Sequence, residues 1–261
     1  MSDLDAVIDA EALVARLTAA PHGSDEEADA ARCVAEALSG HCEHIHEHTA
    51  RHTVYLRSDG VTALFKAVLS GGPVAVGHAL QALRSLVEGC GESAEHIIDS
   101  EGVLVLLAIV AAKPGERNGT PELRMSAVSV LGALARKSED QTVGRLHREG
   151  GVSAVVEAVK SGGARLFDAN AAALMSDLVT AYADELHAVG GEAALVAVVR
   201  ESPSAEAVAA AADDLKRLIT LEDSAGAAVV DAGGVEALVA ASKVREAGGA
   251  GGEAPAHPPP G

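Results

Sequence analysis

The chain has 261 residues, 48% of them hydrophobic but only 2% aromatic, and a formal net charge of −18. That acidity disfavours nucleic acid and anionic membrane as partners, since both reward Lys and Arg, and it permits a basic protein partner. With no Trp and so few rings, the core has to be built from Ala, Leu and Val, whose shallow side chains suit many thin helical layers.

The first residues, Met1-Ser2-Asp3-Leu4-Asp5, place acids where a signal or transit peptide needs bases, and no apolar run reaches membrane-spanning length. The three cysteines, Cys33, Cys42 and Cys90, form no CxxC pair and suit a reducing compartment. The expectation is a soluble intracellular protein, cytoplasmic or nuclear, that needs no cofactor. Val7 to Ala15 predicts a first helix, and Ser24 to Glu27 has capping-box spacing for a second.

Residues 41 to 52 then place five of the eleven histidines in one short segment. His44, His48 and His52 stand at i, i+4 and i+8 and would share one face of a helix, with Cys42 as a soft fourth ligand, so this segment is a candidate zinc or pH-sensing site. Against this, eight residues of helix rise about 12 Å, long for one ion, and an ordinary polar connection is the leading explanation of the composition.

From residue 58 the pattern becomes regular. Val61, Leu64, Phe65, Val68 and Leu69 recur at steps of three and four, and Ser70-Gly71-Gly72-Pro73 stops that helix. Val76, Ala79, Leu80, Leu83, Leu86 and Val87 define a longer helix, and Ile97 and Ile98 a short one. Thr120-Pro121 marks another helix start with proline in the first turn, Ser138 to Gln141 has capping-box spacing, and Ser202-Pro203 repeats the cap-then-proline signal. Lys113 to Thr120 reads as an exposed insertion between helices. The Gly/Pro-rich end, with Pro258-Pro259-Pro260, cannot bury a core.

A short phrase punctuates this order: Ser58-Asp59-Gly60-Val61, Ser100-Glu101-Gly102-Val103, Glu149-Gly150-Gly151-Val152, Val189-Gly190-Gly191-Glu192 and Ala232-Gly233-Gly234-Val235. The equivalent residues Ala63, Val105, Ala154, Ala194 and Ala237 are separated by 42, 49, 40 and 43 positions. Periods of that length predict an all-α stack of helical units. The glycines would sit at elbows where two helices meet steeply and positive φ is needed. The division predicted is 1–57 as a divergent first unit with its His-rich insertion, 58–244 as repeats, and 245–261 as a tail.

A short helix, an aliphatic helix opening on Gly-Gly-Val, and a longer Ala/Leu-rich helix resemble the armadillo repeat, most fully over Asp59 to Gly102 and in outline over residues 1 to about 244. The resemblance implies a right-handed superhelix whose third helices line a concave, protein-binding groove. In relatives that hold extended peptides, each third helix presents a tryptophan and, four residues on, an asparagine. Here the tryptophan sites are Gln81, Ser129, Ala173 and Asp213, and the asparagine sites Ser85, Ala133, Asp177 and Arg217. That ladder is absent, so a nuclear-transport role is not implied. Gln81, Arg84, Ser85, Ser129, Asp177, Asp213 and Arg217 remain as candidate polar contacts for a protein partner.

No phosphate loop, HExxH or nucleophile elbow occurs, and Asp213-Asp214 are neighbours that point in different directions on a helix. No catalytic residues are assigned. The expected function is a non-catalytic scaffold. The alternatives are an Hsp70-type chaperone cofactor that promotes nucleotide exchange, which the resemblance brings in, and a metal- or pH-responsive protein using residues 41–52.

Overall fold

The computed structural model describes residues 3–39, 58–89 and 91–249. Among them are fifteen α-helices, one 3-10 turn and no strand. The first two are α1 (Asp3–Ala19) and α2 (Asp25–Leu38). The next unit has α3 (Ser58–Ser70) and α4 (Pro73–Gly89). Three-helix units follow: α5 (Gly91–Asp99), α6 (Gly102–Val110) and α7 (Pro121–Ala135), then α8 (Glu139–Arg148), α9 (Gly151–Lys160) and α10 (Ala169–Ala181), then α11 (Ala183–Ala188), α12 (Gly191–Glu201) and α13 (Ala205–Leu221). Helices α14 (Ala225–Asp231) and α15 (Gly234–Gly249) begin one more, bent by 74° at their junction.

Long helices α2, α4, α7, α10 and α13 pack each on the next, and the second helices α9, α12 and α15 stack in parallel with them. One apolar core runs without a break from Ala10 to Ala237, lined by Leu64, Leu83, Leu106, Leu134, Leu174 and Leu195 among others. No single described helix is long and apolar enough to cross a membrane.

The elbows divide their work between two positions. The first residue takes the left-handed conformation: Gly150 at φ 70°, Gly190 at 81°, Gly233 at 75° and, with a side chain, Glu101 at 63°. The second residue is helical but crowded. A Cβ on Gly151 would lie 2.5 Å from Leu146 Cδ2 and 2.9 Å from the Leu146 carbonyl oxygen, and one on Gly102 would lie 2.6 Å from the Ile97 carbonyl oxygen. Positive φ, expected of Gly151, therefore belongs to Gly150, and Gly151 is there for space.

Helix starts largely follow their local chemistry. Ser24 accepts the Glu27 amide at 3.1 Å, while Glu27 reaches back to the Gly23 amide at 2.7 Å. Thr120 accepts the Leu123 amide ahead of Pro121. Two expected caps differ. The Ser138 side chain caps nothing, because its backbone, at φ −152° and ψ 80°, is off cap geometry. Ser202 is the C-cap of α12, and α13 begins only at Ala205, so its cap is Ser204, which accepts the Ala207 amide at 3.2 Å.

The inserted loop has a structural task. Arg117 donates to the Ser70 and Leu69 carbonyls at 3.0 and 2.5 Å, capping the C-terminus of α3 one unit earlier. At the far end helix continues to Gly249, past the expected tail boundary at 245, because Arg245-Glu246-Ala247 are good helix formers.

Candidate protein-interaction surface

The third helices carry most of the polar candidates, and the structure sorts them into two groups. In the middle of the stack the polar groups satisfy one another. Asp168, N-cap of α10, accepts the Ala171 amide on Oδ1 at 2.9 Å. Its Oδ2 accepts the Ser129 hydroxyl at 2.6 Å and the Arg84 guanidinium at 3.3 Å. One carboxylate thus ties α4, α7 and α10, aided by the positive end of the α10 dipole. Beside it, the Asn170 amide donates to Glu88 at 2.8 Å, and its oxygen accepts from Arg136 at 3.1 Å.

These bonds join α4 to α10 across the intervening α7, and small residues make that reach feasible. Ser129 and Ala133 occupy the two positions where relatives bear Trp and Asn, and both are buried. Gly132 lets the first turn of α10 press in, since a Cβ there would lie 2.0 Å from the Asn170 carbonyl oxygen. Ser85 and Ser129 are accordingly not exposed contacts: Ser129 is covered by the start of α10 and committed to Asp168, and Ser85 lies in the helix stack. Gln81 remains exposed, 3.4 Å from the Ser39 hydroxyl at the end of α2. Arg84 is held by Asp168.

The second group lies on α10 and α13, where acids gather. Ser176 donates to Asp214 Oδ2 at 2.8 Å, and Arg217 donates to Thr180 at 3.0 Å while standing 3.8 Å from Asp214 Oδ1. Asp214 is only 2% exposed, and burial pushes its pKa up to about 6 despite the Ser176 hydrogen bond. Asp177 is half-buried and also raised, first by burial and then by the nearby Glu139. Asp213 is exposed and adds its charge to the same patch. The patch is electrostatically under-compensated and open on the Asp213 side.

Sequence reading missed Asp168, Asn170, Glu88, Arg136 and Asp214. An Asp before an Ala-rich run was an available N-cap signal for Asp168, and a glycine inside a helix was one for the close approach at Gly132. Two histidines within the repeats are connectors. His147 stacks on Tyr182 with centroids 4.0 Å apart and bonds Glu185. His187 bonds the buried Glu192 carboxylate on one nitrogen and lies 2.8 Å from the hydroxyl of Ser224, which precedes α14, on the other. The Glu192 hydrogen bond raises the His187 pKa.

The proposed metal ligands Cys42, His44, His48 and His52 lie outside the described residues. Among the described residues no group of three or more His, Cys, Asp or Glu side chains is placed to hold a metal ion.

No family model matches this chain, and no curated protein does. Solved structures do. An engineered protein from a structural genomics programme aligns with TM-score 0.66 at 21% identity, covering 88% of this chain and 89% of its own. A designed armadillo repeat protein in complex with the peptide (KR)4 aligns with TM-score 0.58 at 16% identity, over 87% of this chain and 89% of that one. A second designed armadillo repeat protein gives 0.51 at 17% identity, over 79% and 98%. With the stacked three-helix units and left-handed elbows described above, these likenesses identify the fold of this chain as an armadillo-like α-solenoid.

Proposed function

We propose that this chain is a non-catalytic scaffold that binds another protein along its third-helix face, and that the acidic patch on α10 and α13 receives a segment bearing Lys or Arg. The observation that carries the reading is the set of Asp177, Asp213 and Asp214, three acids with Arg217 as the cation beside them. A basic group docking beside Asp177 and Asp213 would offset the mutual repulsion of these carboxylates and favour their charged forms. The net charge of −18 favours the same class of partner at long range. A structural neighbour that is a complex with (KR)4 supports an extended basic peptide as the first ligand to try.

The test is fluorescence anisotropy of labelled (KR)4 against the full chain, with a Gly/Ser peptide of equal length as control. Binding should weaken at least tenfold in the double variant Asp177→Lys, Asp213→Lys and should fall as salt rises. Affinity unchanged by the charge reversal would place any interaction elsewhere. We assign the scaffold to the cytosol or nucleus on its sparse cysteines, which form no CxxC pair, and localisation of a tagged full chain would test this.

A further inference from the structure

Most of the elbow phrases place Val directly after the last glycine, at Val61, Val103, Val152 and Val235, but the phrase that opens α12 has Glu192 there. Val103 and Val152 are fully buried, and Glu192 is buried as they are, at 1% exposure. A carboxylate in an apolar slot costs stability unless a partner answers its charge. The partner is His187, in the last turn of α11, whose Nδ1 bonds Glu192 Oε1.

That bond orients the imidazole. With a buried acceptor at Nδ1, this nitrogen carries the proton of the neutral ring, and Nε2 is left with its lone pair. Nε2 faces the Ser224 hydroxyl, 2.8 Å away in the next unit. Ser224 immediately precedes α14, yet its side chain makes no cap bond to that helix, unlike Ser24 before α2 and Ser204 before α13. Other serine hydroxyls are spent on carbonyls or carboxylates, Ser70 on Lys66, Ser161 on Glu157 and Ser176 on Asp214. His22 also lies near a serine and a buried acid, but Glu27 and Ser70 both approach its Nδ1, so no proton path runs from hydroxyl through ring to carboxylate. Ser224 is exposed, and it owes this to its register and not to its nearness to the end of the array. Gln141 and Ala181 hold the same place, nine positions before the left-handed elbow residue, and both are exposed although a further unit follows each.

We infer that Ser224 is a nucleophilic modification site, activated by His187 and Glu192, which takes an acyl group from an activated ester or thioester. Ser224 Oγ attacks the carbonyl carbon as its proton passes to His187 Nε2. The bond from that carbon to the leaving oxygen or sulfur breaks, and the leaving group takes the proton from Nε2. The products are an ester on Ser224 and a free alcohol or thiol, with nothing oxidised or reduced. Glu192 holds the Nδ1 proton and offsets the charge of the imidazolium formed in between. Glu222 and Asp223 precede Ser224 directly, so the donor is neutral or cationic. The acyl group stays on the protein, which makes this a site on the scaffold and not a turnover activity.

The probe is p-nitrophenyl acetate, a neutral activated ester. Mass spectrometry of the full chain after brief exposure should find an acetyl group on Ser224, with about one equivalent of nitrophenol released. The rate should rise with pH through a midpoint above the ordinary imidazole value of 6.5, because the Glu192 hydrogen bond, and then the charges of Glu192 and Glu222, hold the His187 proton. His187→Gln and Glu192→Val should each slow the reaction at least about tenfold. Glu192→Val restores the residue of the other elbows, so that chain should keep its circular dichroism and melting temperature and lose only its reactivity. The inference is overturned if Ser224 is labelled no more than other exposed serines, or if folded Glu192→Val reacts at Ser224 as fast as the parent. It is also overturned if Ser224→Ala releases nitrophenol undiminished, since His187 would then be the nucleophile. The Asp177→Lys, Asp213→Lys chain should be acetylated at the parent rate, so this result stands apart from the fate of the acidic patch.

Discussion

The two glycines of one elbow should respond to the same substitution for different reasons and by different amounts. At Gly150 an added methyl meets nothing within 4 Å, so Gly150→Ala costs only the left-handed backbone at φ 70°. That penalty is about 1–2 kcal/mol, and the smaller conformational freedom of the unfolded Ala chain returns about 0.4–1 kcal/mol, leaving a net loss near ~1 kcal/mol. At Gly151 the same methyl would come 2.5 Å from Leu146 Cδ2, 2.9 Å from the Leu146 carbonyl oxygen and 3.2 Å from Leu107 Cδ1. Leu146 is fully buried and its carbonyl belongs to the backbone of α8, so neither can step aside cheaply. Overpacking of this kind costs about 1–3 kcal/mol, and the branched side chain of Gly151→Val should reach the top of that range or pass it. Urea titrations followed by far-ultraviolet circular dichroism, on the parent chain and the three variants, give the order directly. The expected order of stability is parent, Gly150→Ala, Gly151→Ala, Gly151→Val. Gly151→Ala proving milder than Gly150→Ala would refute the assignment of space to one glycine and conformation to the other.

Glu101 holds a left-handed φ of 63° with a side chain, so Glu101→Gly should stabilise the chain by up to about 1 kcal/mol, read as a higher urea midpoint. Asp168→Ala removes an N-cap and leaves the buried Ser129 hydroxyl without its acceptor, for a loss of about 2–3 kcal/mol in the same titration, and a loss below ~1 kcal/mol would show that the α4, α7 and α10 junction does not depend on this carboxylate. Asp214 has a folded pKa near 6, above its ordinary value of 3.8, so the native state holds its proton more tightly than the unfolded chain does and stability falls as pH rises between those values. Asp214→Asn keeps an acceptor for Ser176 and should stabilise the chain by about 2 kcal/mol at pH 7, with the gain disappearing below about pH 4. Melting curves across that range check both the sign and the window, and a gain that persists at pH 3.5 would remove desolvation of the carboxylate as its cause.

The helical units were legible because their signals are local. Aliphatic residues at steps of three and four, a Pro after Thr120 and a Gly-Gly pair every forty or so residues each act within a turn or two of backbone, and the helices form where those signals put them. Local signals also misled at the junctions: Ser138 is off cap geometry, and α13 starts late enough that Ser204, not Ser202, caps it. What tertiary structure alone decided is which polar side chains remain available. Arg84 and Asp168 are 84 positions apart, and only the stacking of α4, α7 and α10 brings the Arg84 guanidinium and the Ser129 hydroxyl to the one Asp168 carboxylate. Asp213 and Asp214 are adjacent and chemically identical in sequence, yet α13 turns one to solvent and the other into the α10 interface. Desolvation depends on every atom packed around a group, and many of those around Asp214 come from α10, some forty residues away, so the pKa of about 6 at Asp214 follows from the stacking and not from the local sequence.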